Sequence, residues 1–283
     1  MKKALLFAVA LVLAFALVSC GPPQAESGGD GNESQGSARS EQSMLQSVID
    51  SGVLKAGIAL TGPPIGMRDD QGEPLGYDVD FAKKMADELG VELEITEVTG
   101  ETRIPMLTSG RVDIVFANMT GTLARAQAIN FSIPYLRVGI KMMVPADSPY
   151  SDASELNDPS IRIAVGRGTT GEALAAELAP EAELVYVDDY TQQVLLVRQG
   201  RVDATFEDSS LIDFTVGESS GELKAPPKLY TSDPICVGIP KGDMAFVRWV
   251  DMFISWQISS GWQADTYEKW WGSRPTARLD SPW

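Results

Sequence analysis

The 283-residue chain has 39 acidic against 23 basic residues and a formal charge of −16 at pH 7, with no run of Lys and Arg, which argues against a nucleic-acid or anionic-lipid partner. It has no histidine, which excludes Ser-His-Asp and Cys-His catalysis and every imidazole metal site. No catalytic set, metal site or cofactor motif emerges from the residues that remain.

The chain opens on Met1-Lys2-Lys3, an apolar run from Ala4 to Val18, and small residues up to Ser19. Basic, apolar and small-residue regions in that order read as a secretory signal peptide over residues 1–19, since a membrane span needs about 20 apolar residues. Cys20, directly after Leu17-Val18-Ser19, resembles the cysteine of the bacterial lipobox, which is lipidated and becomes the first residue of the mature chain. Residues 20–43 are then a lipidated N-terminus and a Gly-, Ser- and Gln-rich tether, too polar to offset its own ordering entropy. These features imply export, either to the periplasm or to the outer face of the cytoplasmic membrane. With Cys20 lipidated, Cys236 has no disulfide partner, and its apolar setting Ile235–Ile239 marks a buried thiol.

The remaining body alternates β-branched runs with helical periodicity, the pattern of βαβ units and mostly parallel sheets. Val53–Leu60 reads as a strand, followed by the loop Thr61–Gly66. Asp78–Leu89 carries apolar residues on one helical face and is closed by Gly90. Leu93–Val98 is a strand, Ile104–Ser109 a short helix and Val112–Ala117 a strand. The order restarts with strand Ile161–Val165, a Gly-rich loop, helix Glu172–Leu178, strand Leu184–Val187, helix Thr191–Gln199 and strand Val202–Phe206. The two halves share the Gly-Arg-Val-Asp of Gly110–Asp113 and Gly200–Asp203, and Phe116 matches Phe206, all at an offset of 90 residues. The chain therefore reads as α/β, with two similar open-sheet lobes.

This duplication places the site. Open α/β sheets bind ligands beyond the carboxyl ends of their strands, where Asn118 and Asp208 fall in equivalent positions, one in each lobe. Further on, Ile235–Ile239 is a strand and Phe246–Ile258 an amphipathic helix. Trp256, Trp262, Tyr267, Trp270 and Trp271 read as a packed aromatic core.

Several of these stretches, in this order, resemble the polar amino-acid class of bacterial extracellular solute-binding proteins of ABC importers. They are Gly76–Ala82, Ala117–Arg125, Phe131–Tyr135, Gly168–Thr170 and Pro240–Asp243. The resemblance implies a type II periplasmic-binding fold, with a two-strand hinge near Tyr135–Gly139 and Leu223–Pro227 and the ligand in the interlobe cleft. Residues 44–136 and 226–272 would form one lobe, 137–225 the other, and 273–283 a loose tail.

The resemblance also assigns roles. Arg125 is the carboxylate clamp, because a guanidinium offers two parallel hydrogen bonds. Thr120 adds a hydroxyl, and Thr169 and Thr170 form a second carboxylate cradle at a helix N-terminus. Asp208, with Asn118, accepts the ligand ammonium, although an Asp in that position also suits an N-cap. Ala59, Gly62 and Gly100 stand where relatives place an acidic or aromatic residue. Arg103 points to an acidic ligand, with a neutral polar one such as glutamine second. The implied function is capture of a free amino acid by a monomer and delivery to the permease subunits of an ABC importer. Two alternatives remain open: a dehydratase acting on a cyclic acid, for which Glu172 or Glu207 would serve as general acid, and a sensory module for a separate receptor.

Cys20→Ser is expected to abolish palmitate labelling and to yield a soluble protein or an unprocessed precursor. Processing and anchoring at wild-type levels would refute the lipobox reading.

Overall fold

The computed structural model describes residues 43–275. The expected signal peptide (1–19), Cys20 and the expected tether except residue 43 lie outside the described residues, as does the expected tail (273–283) from residue 276 onward. The strands of the first half are β1 (Val53–Ile58), β2 (Met67–Arg68), β3 (Pro74–Leu75), β4 (Glu92–Glu97), β5 (Ile114–Phe116) and β6 (Asn130–Val138). Those that follow are β7 (Ile140–Pro145), β8 (Arg162–Gly166), β9 (Glu183–Val187), β10 (Ala204–Asp208), β11 (Leu223–Lys224) and β12 (Asp233–Ile239). Helices α1 (Met44–Ser51), α2 (Tyr77–Leu89), α3 (Arg103–Thr108) and α4 (Thr170–Leu178) are joined by α5 (Tyr190–Arg198), α6 (Ser209–Glu218), α7 (Met244–Ser259) and α8 (Trp262–Trp271).

Ten of these strands form two five-stranded sheets of the same design. One runs β4-β1-β5-β12-β6 and the other β9-β8-β10-β7-β11. In each, the first three strands are parallel and the last two antiparallel. The two similar lobes expected from the repeated sequence are present, but their sheets are mixed rather than mostly parallel. The reason is connectivity: βα units generate the parallel part, whereas β7 and β12 enter each sheet directly from the opposite lobe. Gly139 alone separates the end of β6 from the start of β7. The chain returns between Lys224 and Asp233, and the two crossings bind each other through Tyr230 N–H to the Ile140 carbonyl (2.9 Å) and Ile140 N–H to Thr231 Oγ1 (2.8 Å). A Cβ on Gly139 would lie 2.3 Å from the Thr231 carbonyl oxygen, so only glycine permits this approach.

Each lobe has its own apolar core. In the first, α2 buries Val79, Phe81, Ala82 and Met85 against Val250, Phe253 and Ile254 of α7. The Phe81 ring meets Tyr77, Tyr135, Phe253 and Trp262 at centroid distances of 4.9, 5.0, 6.4 and 5.0 Å. In the second, Ile163, Val165, Ala175 and Phe206 close the interior. Trp262, Tyr267, Trp270 and Trp271 pack on the first core as expected, but Trp256 is 66% exposed. On a helix of period 3.6, the buried set Val250, Phe253, Ile254 and Gln257 claims one face, and Trp256 falls with Arg248 and Met252 on the other. Among the described residues, no helix is long and apolar enough to cross a membrane.

A polar network crosses the first core. Asp78, fully buried at the start of α2, accepts from the Tyr135 hydroxyl (2.6 Å) and from the Asn118 backbone N–H (2.8 Å). The Tyr77 hydroxyl donates to the Tyr135 carbonyl, and Gln263 of α8 donates to the Tyr77 hydroxyl. Burial raises the Asp78 carboxyl to about 7, against the opposing pull of its two hydrogen bonds.

Asp78→Ala leaves two buried donors without an acceptor and is expected to lower unfolding free energy by about 1–3 kcal/mol for each in urea denaturation. Asp78→Asn should lose less, because the amide oxygen can serve Asn118 while the Tyr135 hydroxyl turns to accept from the amide. A carboxyl held near 7 in the folded state contributes its stability in full below about pH 4 and loses it as pH rises through 7. Stability measured from pH 4 to 8 should therefore fall less steeply in the Asn variant.

Candidate ligand-binding site

The strands carrying the repeated sequence end facing one another. Asn118 follows β5 with φ of 45°, a left-handed conformation that asparagine tolerates better than most residues, and Asp78 fixes its backbone N–H. Its side-chain amide donates to Asp208 Oδ2 at 2.7 Å, so two residues 90 positions apart meet across the interlobe seam. Asp208 ends β10 and occupies the N-cap position of α6, yet its side chain makes no capping bond. It turns into the cleft, where Oδ1 is buried without a partner. Burial, then the neighbouring Glu207 and Asp233, push the Asp208 carboxyl well above the usual range.

Two arginines from the first lobe stand opposite. Arg103 begins α3 and is 6% exposed; its Nη1 donates to the Ala117 carbonyl at 2.8 Å, and its Nε is buried without a partner. Burial lowers the guanidinium to about 9, helped by Arg125 and opposed by Glu207 and Asp208, so it stays charged at neutral pH. Arg125 donates to the Thr120 carbonyl at 2.8 Å and, across the seam, to the Gly168 carbonyl at 2.9 Å.

Arg103, Asn118, Thr120, Thr169, Thr170 and Asp208 line one cavity, together with Ala59, Gly62 and Gly100. Arg125 lies beside it rather than in its lining. The hydroxyls of Thr120 and Thr170 face each other at 3.5 Å from opposite lobes. The Thr169 hydroxyl is committed within its own loop: it accepts from the Glu172 N–H as N-cap of α4 and donates to the Gly166 carbonyl. Glu172 also occupies one donor of the expected cradle, the Gly168 N–H, at 2.7 Å. The seam closes tightly where Gly100 meets Gly168, and a Cβ on Gly100 would stand 2.5 Å from the Arg167 carbonyl oxygen.

Sequence reading missed Gln193 and Tyr190 in this lining and weighed Glu207 only as a general acid. Glu207 is buried; its Oε2 accepts from Gln193 Nε2 at 3.2 Å and its Oε1 from the Asp208 N–H at 3.3 Å. Burial raises its carboxyl, and the Gln193 hydrogen bond leads the opposing effects. The available signal was a Glu-Asp pair ending a strand buried at all five positions. Arg103 and two carboxylates thus line one cavity with Arg125 beside it, yet among the described residues no ion pair joins them. Buried charges left unpaired are costly, so their arrangement suits a solute that carries charges of both signs.

Comparison with known proteins agrees with this geometry. The chain is 28% identical over 274 residues to the ABC transporter glutamine-binding protein GlnH of Bacillus subtilis (strain 168), covering 95% of this chain and 97% of the relative. It is also 28% identical over 257 residues to the cyclohexadienyl dehydratase of Pseudomonas aeruginosa, covering 85% and 91% of the two chains. Among solved structures, the ancestral amino acid-binding protein AncCDT-1, a precursor of cyclohexadienyl dehydratase, superposes with a TM-score of 0.77 at 31% identity, over 81% of this chain and 99% of the other. The model of one family matches residues 54–273, and the chain belongs to that family, the bacterial extracellular solute-binding proteins, family 3.

Proposed function

We propose that this protein binds a polar amino acid in the interlobe cavity and hands it to an ABC importer. The observation that carries this reading is the unpaired, buried Oδ1 of Asp208 in one lobe, opposite the buried guanidinium of Arg103 and the half-buried one of Arg125 in the other. A zwitterion satisfies both signs at once. Asp208 would take the ammonium, helped by Thr120 and the neighbourhood of Asn118. Arg125 would exchange a carbonyl partner for the carboxylate, which the free backbone amides at the start of α4 and the Thr170 hydroxyl complete. The side chain would then reach Arg103, which suits a terminal oxygen, whether of an acid or an amide.

Capture and release would follow from bending at the crossings near Gly139 and between Lys224 and Asp233. Opening the lobes breaks only a few bonds across the seam, among them Asn118 to Asp208 and Thr191 to the Thr61 carbonyl. The glutamine-binding name of the Bacillus relative supports the transport reading. Lipidation at Cys20 would hold a monomer beside the permease. The dehydratase relative motivates the competing enzymatic reading, but Glu172 is turned to its own loop amide, which leaves Glu207 without a second acid–base partner of evident aim.

Calorimetry across the common amino acids should give saturable binding to one or a few polar ones, with the ligand recovered unchanged. Arg125→Ala and Asp208→Asn should each cost about 2–5 kcal/mol, the penalty for removing one partner of a desolvated charge pair. That corresponds to roughly 30- to several thousand-fold in affinity. Wild-type affinity in either folded variant would remove its assigned role, and a chemically altered ligand would favour the enzyme.

A further inference from the structure

We infer that Arg103 and Glu207 together select a ligand whose side chain ends in a neutral carboxamide, with Glu207 as the residue that rejects acids. This inference rests on the amino-acid reading above and deepens it. The zwitterion uses Arg125 and Asp208, one for each of its charges. Two buried charged groups then remain for the side chain. They are the Arg103 guanidinium, which begins α3 in one lobe, and the Glu207 carboxylate, near the end of β10 in the other. Both line the cavity, and their charges act on each other without forming an ion pair.

Their unused capacity is opposite in kind. Arg103 has a buried Nε–H without an acceptor. Glu207 has only two long bonds from neutral donors, at 3.2 Å from Gln193 and 3.3 Å from the Asp208 N–H, so its carboxylate retains acceptor positions. Gln193 is engaged at both ends of its amide, with its oxygen 2.6 Å from Thr205 Oγ1 and its nitrogen donating to Glu207.

Each class of side chain can be set against this pair. A carboxamide presents a carbonyl oxygen to Arg103 and an NH₂ to Glu207, and satisfies both. A carboxylate serves Arg103 but offers no donor and adds a third negative charge beside Glu207 and Asp208. A cationic side chain serves Glu207 but faces Arg103. An apolar one leaves two buried ionic groups without partners, which is the costliest outcome. The acidic ligand that Arg103 suggests when considered alone is therefore displaced by the amide.

The test is calorimetry of the full mature protein and its variants with glutamine, asparagine, glutamate, aspartate and arginine. The wild type should prefer an amide to the acid of the same length by at least about tenfold. Glu207→Gln, which keeps the shape and an acceptor for the Asp208 N–H, should narrow or reverse that preference by about tenfold or more. Arg103→Met should weaken glutamine and glutamate together and improve arginine relative to both. Thermal unfolding identifies variants that fail to fold, and the wild-type ranking tests the inference without them. A wild-type preference for an acid or for arginine would overturn it, as would equal losses for glutamine and glutamate in Glu207→Gln. Binding of none of the amino acids would instead overturn the amino-acid reading itself.

Discussion

The contact between the Asn118 amide and the Asp208 carboxylate is the constraint around which the cavity is arranged. A carboxylate taken out of water destabilises the fold by several kcal/mol unless it is hydrogen-bonded or paired. Here one oxygen is satisfied by a neutral amide from the other lobe, and the second is left for a partner that the protein does not supply. The amide can reach it only because Asn118 adopts a left-handed backbone, which Asp78 secures from within the first core. The chain of dependence therefore runs from α2 through Asp78 and Asn118 to Asp208. The Tyr135 hydroxyl ties the same carboxylate to β6, three residues from the end of the strand that leads into the crossing.

Matching strand order in the two sheets gives this contact its geometry. Because β5 and β10 occupy the same place in their sheets, Asn118 just beyond β5 and Asp208 at the end of β10 meet across the seam. One half contributes Asn at that position and the other Asp, so the pair attracts. Two aspartates there would repel, and two asparagines would hold no charge for an ammonium. The glycines at 100 and 168 play the corresponding part for the backbone: any Cβ there would hold the loops apart and let water reach the charges. Exclusion of water matters because charge–dipole and charge–charge interactions strengthen as the local dielectric falls.

The proposed specificity draws on a different feature, the excess of ionic groups over what a zwitterion needs. Arg103, Glu207 and Asp208 line the cavity and Arg125 stands beside it, and among the described residues no ion pair joins any two of them. In the proposed reading, Arg125 and Asp208 serve the charges that all amino acids share, and Arg103 and Glu207 are left to discriminate between side chains. Relatives of this chain include one named as a glutamine-binding protein and one named as a cyclohexadienyl dehydratase, so similar sequences carry different functions.

Much of this was legible in one dimension. Local periodicity located β1, β4, β5, β8, β9, β10 and β12 and helices α2 to α5 and α7 to within a few residues, because apolar spacing reports which face is buried whatever the partner. It did not reveal α1, β2, β3, β6, β7 or α6. The repeated Gly-Arg-Val-Asp words revealed two lobes and placed Asn118 and Asp208 at equivalent strand ends. The absence of histidine limited the chemistry before any fold was considered. What the sequence left undetermined depended on residues distant in the chain. Trp256 carries the same hydrophobicity as Trp262, but only the packing of α7 decides which of them meets the core. Thr169 and Thr170 were expected to form an anion cradle, yet in three dimensions the Thr169 hydroxyl is committed to its own loop and the Glu172 carboxylate occupies the Gly168 N–H. Glu207 differs from a surface glutamate only in where β10 lies, and Asp78 only in what Tyr135 and Asn118 bring to it. Burial and partner identity set the charge and the role of an ionisable group, and both are properties of the folded surroundings rather than of the residue or its near neighbours.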